Sequence, residues 1–124
     1  YRGTLRSGQV LESVSSVVIV GDVNPGAKII SQGNIVVLGA LKGNAYAGAA
    51  GDSNCFIVAL EMDPIQIQIG DILAKSPDHK KMKPRRLRRK EKTPVTPEAQ
   101  IAVAKGGNIY IEPVTRGSLN DYTR

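Results

Sequence analysis

The stretch VVIVGDVNPGAKIISQGNIVVLGALKGNAYAGAAGDSNCFIVALEM, residues 17–62, reads as one short unit written nearly three times. Its copies open on the apolar runs Val17-Val18-Ile19-Val20, Ile35-Val36-Val37-Leu38 and Phe56-Ile57-Val58-Ala59. The first two align at a step of 18, with Gly21 on Gly39, Val23 on Leu41, Ala27 on Ala45 and Ile29 on Ala47; the third follows a two-residue insertion around Asp52-Ser53-Asn54. A period this short, rich in β-branched residues and punctuated by Gly and Asn, leaves no room for a helix and a strand in each copy. Each copy is therefore a coil of strands and turns, and it gains a core only by stacking on its neighbours. The fold class this predicts is all-β, a three-sided (triangular) β-helix with short coils of about 18–20 residues.

Working outward, Gln9-Val10-Leu11 resembles Lys28-Ile29-Ile30 one turn later, so residues 4–16 form an incomplete first coil. Corners are marked by Asn24-Pro25-Gly26, where Pro presets φ and Gly accepts a positive one, and by Gln32-Gly33-Asn34. After a corner at Asp63-Pro64, Ile65-Gln66-Ile67-Gln68-Ile69 alternates strictly, with isoleucines expected inside and glutamines in water. Over residues 75–97 charge, Pro and Thr replace the repeat, as in an exposed excursion. The β pattern resumes at Gln100-Ile101-Ala102-Val103, turns at Lys105-Gly106-Gly107-Asn108 and closes with Ile109-Tyr110-Ile111-Glu112-Pro113. The organisation expected is one β-helix domain, 1–113, interrupted at 75–97, followed by a polar tail, 114–124.

Composition fits a narrow solenoid: aromatics are 4% of 124 residues and Trp is absent, as suits an interior of Val, Ile, Leu and Ala ladders. The lone Cys55 excludes an internal disulfide and reads as a buried thiol in a reducing compartment. The net charge of +6 belongs to one segment, because residues 80–92 hold nine of the 17 Lys+Arg against one acid while the remainder is mildly acidic. Apolar runs are strand-sized, too short to span a bilayer. The chain starts at Tyr1 without Met and is expected to be a fragment.

Catalytic chemistry is thin. His79 is the single histidine, so neither a His-based nucleophile nor a multi-histidine metal site can be assembled, and Asp22, Asp52, Glu61, Asp63 and Asp71 scatter near corners. No enzyme activity, metal or cofactor is expected. Two binding features stand out instead. The apolar runs do not alternate: Val18, Val36 and Phe56 form one apolar ladder and Ile19, Val37 and Ile57 another, so one outer wall is greasy over three coils. A two-fold dimer through Val18, Val20, Val36, Leu38, Phe56 and Val58 is expected. The second feature, Arg6-Ser7-Gly8-Gln9, has no strong repeat partner; it is either a first-coil corner or a compact donor and acceptor surface for a protein partner.

Together Arg6-Ser7-Gly8-Gln9, GDVNPGA (21–27), GNIVVLGALKG (33–43), AYAGAAGD (45–52) and GNIYIEP (107–113) make the chain resemble the C-terminal domain of the septum-site protein MinC, over residues 3–113 outside the excursion. The resemblance implies a right-handed β-helix that homodimerises and binds the ATP-bound, membrane-associated ATPase MinD, with Arg6, Ser7, Gly8 and Gln9 as the MinD contact. It further implies a cytoplasmic cell-division inhibitor, recruited to the inner membrane face through MinD, that restrains the tubulin-like FtsZ chiefly through an N-terminal domain missing from this stretch. The basic excursion departs from that pattern. It reads as a solvated loop, or more sharply as an anionic-surface contact through Lys80, Lys81, Lys83, Arg85, Arg86, Arg88, Arg89 and Lys90, with lipid or with nucleic-acid phosphate. No aromatic interleaves with these bases, which argues against single-strand stacking, and no specific nucleic acid is expected. Two other classes compete. A bactofilin-like polymerising β-helix would lack Arg6-Ser7-Gly8-Gln9, and a β-helical acyltransferase would need a base near a coil edge, whereas His79 lies in the excursion.

Overall fold

A computed structural model describes residues 1–75 and 99–114. Excursion residues 76–97, with all eight of the candidate anionic-surface cations, and tail residues 115–124 lie outside them, whereas Lys75 and Val114 lie within. Ten strands are described and no helix: β1 (Val10–Ser13), β2 (Val17–Ile19), β3 (Lys28–Ser31), β4 (Ile35–Leu41), β5 (Asn44–Ala47), β6 (Phe56–Met62), β7 (Gln66–Ile69), β8 (Ile72–Lys75), β9 (Gln100–Lys105) and β10 (Asn108–Pro113). They form two five-stranded sheets, β1-β3-β5-β7-β8 (sheet 1) and β10-β9-β6-β4-β2 (sheet 2). A third side is narrower. Leu5, Val23, Leu41 and Met62 stack there through isolated bridges and the far halves of β4 and β6, which bend at a register shift between Val37 and Ala40. Stacked coils with three walls are the expected β-helix.

The inner ladders close the core by alternating large with small. On sheet 1, Ile29 lies on Ala45 and Ala45 on Ile67; on sheet 2, Ile19 lies on Val37 and Val37 on Ala59. All of these are buried. Ser31 is a polar exception with a use: its hydroxyl donates to Ser15 O (2.7 Å) and accepts from Gly33 N (3.0 Å), joining two stacked corners. Replacing Ser31 by Ala removes both bonds from the half-buried corner and is expected to cost about 1 kcal/mol, read as a lowered midpoint in thermal unfolding.

The register corrects the uniform step. Val17 pairs with Ile35 at 18 residues, but Lys28 pairs with Asn44 at 16 and Ile35 with Ile57 at 22. Ile29 therefore meets Ala45 rather than Ala47, and Val36 meets Val58 rather than Phe56. Lys28 meets Val10 rather than Gln9, so Leu11 turns inward and Val10 outward. Corner lengths absorb the differences: four residues separate Leu5 from Val10 and Val23 from Lys28, but only Lys42 and Gly43 separate Leu41 from Asn44. Errors of two residues preserve the face each side chain occupies, because strand side chains alternate with period 2. Ile65 is a further correction: it precedes β7 and is half exposed, while Ile67 and Ile69 are buried as expected.

The parallel stack also ends differently from a resumed coil. Gly70-Asp71 makes a two-residue hairpin, with Gly70 at φ 61°, that returns β8 antiparallel to β7. Strand β9 runs antiparallel to β6 and turns through Gly106 and Gly107, both at positive φ, into β10. A Gly-Asp pair between apolar runs is a hairpin signal. The first of these reversals was thus readable in the sequence.

Candidate functional site

The stretch Arg6-Ser7-Gly8-Gln9 forms the first corner between the third side and sheet 1. Gln9 N donates to Arg6 O (2.9 Å) and Gly8 has φ 90°, which defines a type II turn. One coil on, Asn24-Pro25-Gly26-Ala27 repeats it, with Ala27 N donating to Asn24 O (3.0 Å) and Gly26 at φ 91°. The motif does have a repeat partner, then, and its signal was Gly8 on Gly26 at the same step as Gly21 on Gly39.

The two turns are stacked. Gly8 N donates to Gly26 O (2.9 Å), Lys28 N donates to Gln9 O (3.0 Å), and a side chain at Gly26 would strike Ser7. Gln9 turns its carboxamide inward on the corner, Oε1 accepting Arg6 N (2.7 Å). Arg6, Ser7, Gly8 and Gln9 are all exposed, and no described carboxylate pairs with the Arg6 guanidinium. The corner thus offers an unpaired fork of donors and a hydroxyl on a rigid turn, a geometry suited to docking a protein carbonyl or carboxylate.

The other feature is the outer face of sheet 2. Val18, Val36 and Val58 lie in register across β2, β4 and β6. Val18, Val20 and Leu38 are between 45% and 49% exposed, and Leu60 extends this strip at 40%. Val36 and Val58 are half-buried because they pack on Phe56, Ile101 and Val103, and Phe56 itself is buried there. Antiparallel β9 supplies that cover, which the repeat alone did not predict. Four aliphatic side chains remain facing out on one wall.

Cys55 is buried among the core residues, and burial first, then the adjacent Asp52 carboxylate, push its thiol above the ordinary range. Among the described residues no three His, Cys, Asp or Glu side chains gather as a metal site, and no helix is long and apolar enough to cross a membrane. Near the β9–β10 turn an open depression of about 540 Å³ is lined by Lys105, Gly106, Tyr110, Ile111 and Glu112.

Fold and surface together define a class: a β-solenoid whose distinctive chemistry lies on outer faces and one corner. The chain belongs to the family described as septum formation inhibitor MinC, C-terminal domain, whose model matches residues 1–114. It is 68% identical over 120 residues to a probable septum site-determining protein MinC of Agathobacter rectalis, covering 97% of this chain and 49% of that protein. It is 50% identical over 121 residues to the protein of the same description in Lachnospira eligens, covering 98% of this chain and 48% of the relative. The chain thus spans about half the length of the curated relatives it matches. Among solved structures it is similar to a chain of the MinC:MinD cell division protein complex of Aquifex aeolicus, with TM-score 0.72 and 34% identity over 96% of this chain and 88% of that one.

Proposed function

We propose that this chain is the dimerisation and MinD-binding module of a cell-division inhibitor. The observation that carries the reading is the corner at residues 6–9, exposed and pre-shaped by its own hydrogen bonds, on a fold similar to a chain solved in a MinC:MinD complex. In this reading Arg6, Ser7 and Gly8 meet ATP-bound MinD at the membrane, and Gln9 holds the turn that presents them. The outer wall with Val18, Val20, Leu38 and the half-buried Val36 and Val58 joins two copies. MinD brings the dimer to the inner membrane face, where the inhibitor restrains FtsZ, chiefly through another part of the protein.

The test is capture by MinD with ATP, using Arg6→Ala and Ser7→Ala. Arg6→Ala is expected to weaken capture by at least about tenfold, the effect of losing one charged hydrogen-bonding group at an interface, with circular dichroism and dimer mass unchanged. Capture undiminished by both substitutions would refute the reading. Loss of the folded spectrum would make the corner structural alone.

A further inference from the structure

We propose that the partner-binding surface extends beyond the four-residue corner to a cationic frame of Arg6, Lys28 and Lys42 beside the exposed Val10, and that the surface it receives is acidic. The proposal rests on the reading that the corner docks MinD, and it names the chemistry that MinD must present.

The frame is set by register. Leu5, Val23 and Leu41 are bridged in one column, so the residues that follow them, Arg6, Asn24 and Lys42, occupy the same corner on successive coils. Lys42 N donates to Val23 O (2.7 Å), which fixes that coil beneath the second turn. Two coil spacings put the Arg6 and Lys42 backbones about 10 Å apart. Lys28 lies on the adjoining sheet 1, in register with Val10 immediately after the corner. Ile29 is buried, so Lys28 and Val10 share the outer face, and Val10 is 57% exposed.

Lys28 is held rather than free to sweep. Its Nζ lies 5.4 Å from the centroid of the Tyr46 ring, and the Tyr46 hydroxyl accepts from Gln66 Nε2 (3.3 Å), so the ring is tied in turn. No described carboxylate pairs with Arg6, Lys28 or Lys42. Glu12 shares the sheet 1 face but stands one row away, opposite Ile30. Met62 continues the column beneath Leu41, so Asp63 follows Lys42 at this corner and sets one carboxylate at the far edge of the frame. Three cations set by the stacked coils around an apolar side chain, with a single acid at that edge, complement carboxylates held on a protein around an apolar contact. Three charges are also fewer than the clusters of about four to eight bases that anionic headgroups recruit, so a protein fits better than a lipid surface.

The experiment measures MinD binding in solution, with ATP and without lipid, for the whole chain and for Lys28→Glu, Lys42→Glu and Lys28→Gln. Each reversal is expected to weaken binding by about tenfold or more, mostly through slower association, and to flatten its dependence on salt; Lys28→Gln should fall between. Circular dichroism should stay unchanged in all three. If the reversals bind normally while Arg6→Ala does not, the corner alone is the interface and this proposal is overturned with the functional reading intact. If Arg6→Ala binds normally as well, both are overturned. If the reversals leave MinD binding untouched but release the chain from anionic vesicles of phosphatidylglycerol, the frame serves lipid and the proposal fails.

Discussion

Gly39→Ala is expected to be among the most damaging single substitutions in the chain, lowering stability by about 3 kcal/mol or more. Gly39 has no positive φ, so conformational preference is not the obstacle. Space is. A Cβ at Gly39 would fall on the Gly21 carbonyl and on Asp22 Oδ1, and one at Gly21 would fall on the Gly3 carbonyl. The three glycines stack on successive coils where sheet 2 meets the third side, and the carbonyls of Gly3 and Gly21 occupy the places where side chains at Gly21 and Gly39 would go. Backbone cannot step aside as a flexible side chain would, because Asp22 is itself fixed by accepting Ala40 N (2.8 Å). Against a domain stability of about 5–15 kcal/mol, that loss moves a urea midpoint far or abolishes the transition. Gly8 is the contrast: nothing lies near its missing side chain, and Gly8→Ala is expected to cost only the about 1–2 kcal/mol of a left-handed backbone. Equal midpoints for the two variants would contradict the stacked-carbonyl account.

Val18→Asp is expected to split the dimer proposed through the outer face of sheet 2. Val18 ends the ladder with Val36 and Val58 and is 46% exposed on one chain, so its apolar surface is available to a second copy. Each buried aliphatic side chain contributes about 1.5–3 kcal/mol to such an interface. An aspartate there forfeits that contribution and desolvates a carboxylate, and two-fold symmetry applies the penalty twice. The dissociation constant should rise by at least about 100-fold, a change of about 3 kcal/mol, read by sedimentation as a monomer at micromolar concentration. Val14→Asp is the control, because Val14 is 81% exposed and lies outside that ladder. A Val18→Asp protein that stays dimeric would place the interface elsewhere.

What was legible in the sequence follows from what each signal measures. Apolar runs with β-branched residues report which segments stack, and the core ladders of Ile19, Val37, Ile29 and Leu41 lie where those runs put them. Register was less accessible, because it depends on how many residues each corner holds. A four-residue type II turn and the two-residue Lys42-Gly43 corner close the same angle, and only the backbone distinguishes them. Gly43 is the local sign, since a side chain there would meet the Asn24 and Ala27 carbonyls, but a glycine in a row of glycines is easily passed over. Antiparallel β9 was missed for another reason. Gln100-Ile101-Ala102-Val103 has the composition of one more coil, and strand direction leaves no mark on composition. The corner at residues 6–9 was visible as residues, whereas its kinship with the following turn needed Gly8 to be set on Gly26.

The reversal of β8 and β9 gives the stack a polarity. A parallel coil offers its successor the same slanted hydrogen-bonding edge it received, so parallel stacking could in principle continue without limit. Here both large walls turn round after β7 and β6, and the last strand of sheet 2 ends at Pro113, which has no amide hydrogen to give. The molecule is threaded at one end and headed at the other, like a bolt. Among the described residues the headed end therefore presents antiparallel strands where one more parallel rung would go, and the repeat that builds the shaft is not the one its head offers.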